Sequence, residues 1–299
     1  MEPDEIRVPV NGGVTLHAWL FRPLGAGPFP AITMAHGFGG LKYHGLRQLA
    51  ERFRDAGFVV LVHDHRSFGL SEGEPRNDID PWRQIEDWRR IITYLESVDD
   101  VDRTRLGVWG TSFAGGHAMV LGATDRRLKA VVAQVPICNG YEQGLRRVPA
   151  ELRAAVQERF NADERGQLSG RAPQTQLLNS LEPGTPAAYH SQDMFDFFAS
   201  FPIPDGVPAA DVVTVRSSLK ASQYEPGTWA GRVSPTPLMM LVGTGDLVTP
   251  TDIALRTYEQ ALQPKRLVMF DGGHFDAYDA QFETTSAAAT EWFVAHLRS

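Results

Sequence analysis

The feature that most constrains the fold is the alternation of short apolar runs with helical segments along most of the chain. The apolar runs have the length of buried strands and cover residues 31–35, 58–62, 105–109, 128–135, 238–242 and 266–270. Segments with helical periodicity lie between and after them, at residues 44–55, 80–95, 117–123, 251–262 and 282–297. Short apolar strands that alternate with helices favour a mostly parallel sheet with helices on both faces. We therefore predict an α/β fold.

Two parts of the chain depart from this alternation. Near the start, β-like runs at residues 6–10 and 14–22 flank Asn11-Gly12-Gly13, which predicts an antiparallel hairpin at one edge of the sheet. The regular pattern is then lost over residues 137–234, which are helical only in places, at 150–160 and 192–200. We interpret residues 137–234 as a helical cap or lid, inserted into a core made of residues 1–136 and 235–299.

The charge balance and the distribution of apolar residues exclude several classes of protein. Acidic residues outnumber Lys and Arg by 36 to 29, and the net charge of −7 argues against nucleic-acid binding. No apolar run is long enough to cross a membrane, and the acidic first five residues lack a signal region. The single cysteine, Cys138, cannot form an intramolecular disulfide. We expect a cytoplasmic protein with no membrane partner, and an exposed edge strand or the cap could mediate a homodimer.

A serine at a predicted sharp bend of the backbone is the first candidate for a catalytic residue. The run at 105–109 leads into Gly110-Thr-Ser-Phe-Ala114, and a helical segment follows. In a nucleophile elbow the serine lies between a strand and a helix in a strained conformation, so the residues two positions away must be small. Gly110 and Ala114 meet this requirement. The pattern predicts that Ser112 is a nucleophile.

A serine nucleophile needs a histidine base and a carboxylate that orients it, in the chain order Ser, acid, His. Of the nine histidines, His274 is best placed, because it follows the run ending at residue 270 within a turn that contains Gly272 and Gly273. Asp246 is the preferred acid because it directly follows the run at 238–242. The other usual position for the acid, after the run at 128–135, has no carboxylate before Glu142.

The negative charge that develops on a substrate oxygen requires two fixed donors. The backbone N–H of Phe113, next to the nucleophile, is one candidate, and the N–H of Phe38 in His36-Gly-Phe-Gly-Gly40 is the other. The Gly-rich turn at Ser112 does not fit a dinucleotide-binding loop, because Ser112 occupies the third position of Gly-x-Gly-x-x-Gly, where a glycine is needed, and the later acid is missing. No His and Cys spacing matches a zinc site. We therefore predict no metal and no cofactor.

The predicted cap is rich in aromatic residues, most of which we expect to pack it onto the core. A minority would line an apolar pocket for part of the substrate. The candidates are Cys138, Phe195, Phe198, Tyr224 and Trp229.

Taken together, these motifs resemble the α/β-hydrolase superfamily over nearly the whole chain. Five stretches are similar to a subgroup that contains bacterial hydrolases and fungal polyketide thiohydrolases and transferases. This subgroup is related to the dienelactone-hydrolase-like enzymes. The stretches are residues 64–76 (DHRSFGLSEGEPR), 79–82, 110–117 (GTSFAGGH), 135–136 and 273–278 (GHFDAY). The resemblance implies that the nucleophile, acid and base of the subgroup correspond to Ser112, Asp246 and His274. Ala114 replaces the more usual glycine but keeps that position small.

The sequence thus predicts a serine hydrolase that cleaves carboxylic ester, thioester or lactone bonds of a small molecule with an apolar portion. Two alternatives stay open. An acyltransferase would use the same three residues but another acceptor in place of water. A hydrolase fold without activity would serve as a ligand-binding protein.

Overall fold

The computed structural model describes residues 2–298. In chain order the strands are β1 (Asp4–Val10), β2 (Val14–Phe21), β3 (Phe29–Ala35), β4 (Val59–His63), β5 (Val101–Thr111), β6 (Leu128–Gln134), β7 (Thr175–Asn179), β8 (Ala187–Tyr189), β9 (Val212–Thr214), β10 (Leu238–Gly243) and β11 (Lys265–Phe270). The α-helices are α1 (Leu46–Asp55), α2 (Pro81–Glu96), α3 (Phe113–Thr124), α4 (Gly140–Arg147), α5 (Arg153–Leu168), α6 (Gln192–Ser200), α7 (Val215–Ser222), α8 (Ala230–Val233), α9 (Thr251–Gln260) and α10 (Phe282–Leu297).

Eight strands form one central sheet in the order β1-β2-β4-β3-β5-β6-β10-β11. The pairs β1–β2 and β2–β4 are antiparallel, and the other neighbouring strands are parallel. The hairpin turn between β1 and β2 contains Gly12 and Gly13, both at positive φ, which glycine adopts without steric cost. The predicted α/β class, with its antiparallel hairpin at one edge, is confirmed.

Helices cover both faces of the sheet and bury two apolar layers. Helices α2 and α3 pack on one face, where Trp88 and Met119 are fully buried. Helices α1 and α10 pack on the other face through Phe53 and Phe293, whose rings meet edge to face. Helix α2 begins where the sequence predicts, because the side chain of Asp80 accepts hydrogen bonds from the first free N–H groups of the helix.

Two helix starts differ from the predicted positions. Helix α1 begins at Leu46 rather than residue 44, since Gly45 has a φ of 75°, which is outside the helical region. Helix α3 begins at Phe113, four residues before the predicted start, because the glycines that suggested a loop lie inside the helix. Gly115 is needed there, as a Cβ atom would lie 2.9 Å from the Cα of Pro136.

The segment 137–234 contains α4 to α8 but is not purely helical. Strands β7, β8 and β9 form a separate three-stranded sheet within it, in the order β8-β7-β9. This corrects the prediction of a helical segment. Strands of three to five residues are too short for their alternating pattern to be recognised in the sequence. Among residues 2–298, no helix combines the length and apolar character that crossing a membrane requires.

Candidate active site

Ser112 lies at the bend between β5 and α3 in a strained backbone conformation. Its φ of 57° and ψ of −119° are unfavourable for a residue with a Cβ atom. The bend brings Gly110 so close to the next turn that a Cβ there would lie 2.1 Å from the carbonyl oxygen of Ala114. The small residues of the motif are therefore required by contact between the strand end and the helix start.

His274 lies between Ser112 and Asp246 and is within hydrogen-bond distance of both. Its Nδ1 is 2.8 Å from Oδ2 of Asp246, and its Nε2 is 3.0 Å from Oγ of Ser112. An ionised carboxylate only accepts, so Nδ1 carries the proton and Nε2 is free to accept from the hydroxyl. His274 and Asp246 are 5% and 3% exposed. The three side chains predicted from separate motifs thus meet at the carboxyl ends of β5, β10 and β11.

The carboxylate of Asp246 is held by four donors. The backbone N–H groups of Val248 and Thr249 donate to Oδ1, each at 2.8 Å. Oδ2 accepts from His274 and lies 2.8 Å from Oγ1 of Thr249. The same hydroxyl is 3.0 Å from the carbonyl oxygen of Val135, at the end of β6. Sequence reasoning missed Thr249 in this position, because a hydroxyl near a helix start usually caps the helix.

The turn that contains His274 is held by the carboxylate of Asp276. Oδ2 of Asp276 accepts a hydrogen bond from the N–H of Gly273 at 2.6 Å. Gly272 has a φ of 132°, and a Cβ there would lie 2.4 Å from the same carboxylate oxygen. The glycines before the histidine therefore allow a tight turn against Asp276.

The loop at residues 36–40 lies against the serine bend. A Cβ on Gly37 would be 2.6 Å from Cβ of Ser112 and 3.1 Å from the backbone N of Phe113. The rings of Phe38 and Phe113 pack edge to face, with centroids 5.5 Å apart. Phe113 begins α3, and the first N–H groups of a helix have no partner within the helix. The two predicted oxyanion donors thus belong to adjoining segments, and their role stays a prediction.

His36 shapes this loop. Its Nδ1 accepts from the N–H of Gly37 at 2.8 Å, so its proton is on Nε2, which donates to the carbonyl of His44 at 3.1 Å. Burial lowers the pKa of His36 well below its usual value, which keeps the ring neutral.

A buried ion pair, which the sequence did not reveal, anchors the far end of the loop. The ammonium of Lys42 contacts the carboxylate of Asp64, and both side chains are fully buried. The backbone N–H of Lys42 also donates to Asp64, at 2.7 Å. The ammonium lies over the rings of Trp19 and Tyr43, 5.1 and 4.4 Å from their centroids. The loop is therefore tied to the end of β4 by charge, hydrogen bonding and cation–π contacts.

A cavity of about 270 Å³ opens at Ser112, between the core and the segment 137–234. The core contributes Phe38, Ser112 and Phe113, and the segment contributes most of the remaining wall. A much smaller space of about 20 Å³ also touches Ser112 and His274, and is bordered by Phe198. Ser112 thus faces one roomy cavity and one narrow apolar space.

Most of the predicted pocket residues lie elsewhere. Of the five, only Phe198 borders a space that reaches Ser112; Phe195 faces a separate groove. Cys138, Tyr224 and Trp229 do not line the large cavity, which corrects the prediction for them. Cys138 is buried, and burial raises the pKa of its thiol to about 12.

Tyr224 and Trp229 have structural partners of their own. The hydroxyl of Tyr224 is 2.9 Å from Nδ1 of His117, and its ring packs against the ring of Phe113, with centroids 5.3 Å apart. Trp229 stacks with the guanidinium of Arg232 at 4.9 Å. The aromatic residues that do line the cavity include Tyr141, Phe160 and Tyr189, which come from helices and a strand whose packing the sequence alone did not predict.

Comparison with known proteins finds relatives along most of the chain. The family model of the X-Pro dipeptidyl-peptidases (S15 family) matches residues 12–276. The chain is 33% identical to the quorum-quenching protein AidA of Acinetobacter baumannii over 268 residues, covering 90% of this chain and 86% of that protein. It is 29% identical to the thiohydrolase AneE of Aspergillus aculeatus over 276 residues, covering 90% and 85% of the two chains.

The fold is also found among solved structures. The crystal structure of the α/β hydrolase GrgF from Penicillium sp. sh18 aligns over 100% of both chains with a TM-score of 0.86 and 26% sequence identity. The match of the family model to most of the chain and the agreement in fold lead to one conclusion. The chain belongs to the X-Pro dipeptidyl-peptidase (S15) family, within the α/β-hydrolase superfamily.

Proposed function

We propose that the protein is a serine hydrolase that cleaves carboxylic ester or thioester bonds through an acyl-enzyme on Ser112. The observation that carries the proposal is the position of His274, with one ring nitrogen 2.8 Å from Asp246 and the other 3.0 Å from Ser112. A serine hydroxyl is a poor nucleophile near neutral pH unless such a base accepts its proton. The name of the relative AneE, a thiohydrolase, supports the inclusion of thioesters.

In the first half of the reaction, Oγ of Ser112 attacks the substrate carbonyl while its proton passes to Nε2 of His274. The C–O or C–S bond to the leaving group then breaks, and the leaving group takes the proton from Nε2 as it departs. In the second half, water transfers a proton to Nε2 and attacks the acyl carbon, and Oγ of Ser112 leaves with that proton. Asp246 stays ionised and stabilises the charged imidazole.

The backbone N–H groups of Phe38 and Phe113 are proposed as the donors to the oxyanion that forms in both halves. The close approach of Gly37 to Ser112 supports this assignment, because it brings the loop within reach of the reacting carbonyl. Residues 137–234 are proposed as the cap, since they supply most of the cavity wall opposite the serine.

The test is hydrolysis of a panel of esters, thioesters and amides, including an Xaa-Pro amide, that differ in acyl length and leaving group. Ser112→Ala should lower kcat by a factor on the order of 10⁴ or more. Ser97→Ala, which removes an exposed hydroxyl, is the matched control and should keep full activity. Turnover by Ser112→Ala close to that of the natural protein would contradict the proposal.

Labelling with a fluorophosphonate probe separates the proposal from a hydrolase fold without activity. The natural protein should be labelled at Ser112, whereas an inactive ligand-binding protein would not react.

Product analysis with added alcohol, amine or thiol acceptors tests acyl transfer, which shares the first half of the reaction. If most of the acyl group is found on the added acceptor rather than as free acid, the second half of the reaction is acyl transfer and not hydrolysis.

A further inference from the structure

The wall of the large cavity is positively charged in a chain that is acidic overall. Acidic residues exceed basic ones by 36 to 29 in the sequence. Yet the residues that line the cavity at Ser112 include Arg147, Arg153 and Arg159 and, within the described chain, no aspartate or glutamate. Arginine keeps its charge at any physiological pH. The cavity therefore has the opposite sign of charge to the protein as a whole.

Among the described residues, none of these arginines is in an ion pair with a carboxylate, although the charge of Asp163 acts on Arg159. No carboxylate between residues 2 and 298 forms an ion pair with Arg147 or Arg159. Glu142, on α4, pairs with Arg146 and Arg256, which do not line the cavity. Glu158, on α5, pairs with Arg165.

Arg147 is held close to the loop at residues 36–40 without using its hydrogen-bond donors. Its guanidinium lies over the ring of Tyr189, 4.3 Å from the centroid. Tyr189 in turn packs edge to face on Phe38, with ring centroids 5.5 Å apart. A guanidinium that contacts an aromatic face through its central carbon keeps the N–H groups at its edges available for a carboxylate or phosphate.

Arg159, on α5, is half-buried. This burial lowers the pKa of its guanidinium from the usual value, and the Asp163 carboxylate acts in the opposite direction. The carboxylate of Asp163 is already bound, since it accepts from the backbone N–H of Gln174 at 2.7 Å and from Nε2 of Gln167 at 3.0 Å. Arg153 differs, because it donates to the carbonyls of Leu145 and Val148. Arg147 and Arg159 are therefore the two arginines of the cavity wall whose N–H groups are available to bind a ligand.

We infer that the substrate carries an anionic group, a carboxylate or a phosphate, on the portion that lies in the large cavity, and that Arg147 and Arg159 bind it. The inference rests on the proposed function, because it names the substrate class of the same site. An apolar substrate portion stays compatible with the inference, because apolar residues such as Phe160 and Ile137 line the same cavity as the arginines.

The test compares matched anionic and neutral substrates. The first pair, mono-4-nitrophenyl glutarate and 4-nitrophenyl pentanoate, places the charge on the acyl chain. The second, S-butanoyl-3-mercaptopropionate and its methyl ester, places a carboxylate on the leaving group. The third, S-butanoylpantetheine 4′-phosphate and S-butanoylpantetheine, places a phosphate on the leaving group.

In at least one pair, kcat/KM of the anionic member should exceed that of the neutral member about tenfold at low salt. Added salt should reduce this ratio of the two kcat/KM values.

Arg147→Gln and Arg159→Gln should each lower that ratio about threefold to tenfold, and the double variant should abolish it. Arg165→Gln is the matched control, because it removes an arginine from the same helix as Arg159 but outside the cavity. A ratio near or below one in every pair, or one that the double variant leaves intact, would overturn the inference.

The two proposals fail in different ways. Ser112-dependent hydrolysis of neutral substrates without an anionic preference would leave the proposed function standing and contradict only the inference. Absence of turnover in all pairs would contradict the proposed function. Calorimetric titration with glutarate and with inorganic phosphate would then decide the inference, which predicts binding that the double variant loses.

Discussion

At the scale of single residues, the site depends on side chains that orient one another. His274 can accept a proton from Ser112 only because Asp246 holds its other nitrogen. Asp246 is itself oriented by the hydroxyl of Thr249, which also reaches the end of β6. Thr249 is thus a positioning residue, since it acts through Asp246 and through His274, whose Nδ1 lies 3.2 Å from Oγ1 of Thr249.

Removing this hydroxyl should lower the rate without a comparable effect on binding. Thr249→Val keeps the side-chain shape but removes a hydrogen bond to a charged group, which contributes ~1.5–3 kcal/mol. We expect kcat to fall about tenfold to a hundredfold while KM stays within about twofold. Steady-state kinetics with a neutral ester measures both constants.

Thr249→Ser is the matched control, because it restores the hydroxyl and should recover most of kcat. A Thr249→Val variant that changes KM but not kcat would show that the residue acts as a wall of the cavity instead.

At the scale of elements, the strand–bend–helix unit of β5, Ser112 and α3 is the most constrained part of the molecule. Gly110 has no space for a side chain, and Gly115 and Gly116 lie against Pro136 and Ile137. These contacts join the start of α3 to the end of β6. The glycines therefore serve two purposes, since they permit the strained serine and let the helix approach the sheet.

Gly110→Ala should destabilise the protein and displace Ser112. The added Cβ would lie 2.1 Å from a backbone oxygen that cannot move independently, and overpacking of this kind costs about 1–3 kcal/mol or more. Urea denaturation should show this loss in the free energy of unfolding, and ester hydrolysis should fall with it.

Gly144→Ala, within α4, is the matched control. Its nearest new contact would be at 3.6 Å, and alanine favours a helix over glycine by about 0.5–1 kcal/mol. This variant should be at least as stable as the natural protein. Equal stability of the two variants would contradict the steric argument.

At the scale of the whole molecule, the fold buries histidines in neutral form around the site. Burial lowers the pKa of His44 and of His65 to about 4. It lowers the pKa of His36, His63 and His117 well below the usual value. In the unfolded chain such groups titrate near pH 6.5.

Stability should therefore fall as the solution becomes more acidic than about pH 6.5. Between pH 6.5 and 4 the unfolded chain binds protons at His44 and His65 that the folded protein does not bind, so acid favours unfolding. The stabilisation is complete above pH 6.5 and decreases as pH falls. At pH 5 the loss is ~2 kcal/mol for each of these two histidines. Urea denaturation at pH 5, 6 and 7 measures the slope.

A matched pair of variants isolates the contribution of one buried ring. His65→Gln should reduce the slope of stability against pH below 6.5. His190→Gln replaces an exposed histidine and is the matched control for the loss of a histidine side chain. If the slope of stability against pH were the same for the natural protein and His65→Gln, the conclusion that His65 is buried in its neutral form would be contradicted.

The sequence predicted the elements that depend on local pattern. Apolar runs located the central strands, and Asp80-Pro81 located the start of α2. The order of Gly110-Thr-Ser, Asp246 and His274 identified three side chains that the structure brings within hydrogen-bond distance. The small sheet of β7, β8 and β9 was missed, because its strands are too short to show a period.

By itself, the sequence determined the α/β class and the identity of the serine bend, because strand periodicity and the steric demands of a bend act over a few neighbouring residues. Only the tertiary structure decided that Lys42 pairs with Asp64, that Thr249 supports Asp246, and that Tyr224 binds His117 rather than lining the cavity. It also placed arginines of the segment 137–234 at the cavity that opens at Ser112. Thr249 and Asp246 are three residues apart, but the other relations join residues far apart in the chain, and burial and charge at such contacts arise only when the elements pack together.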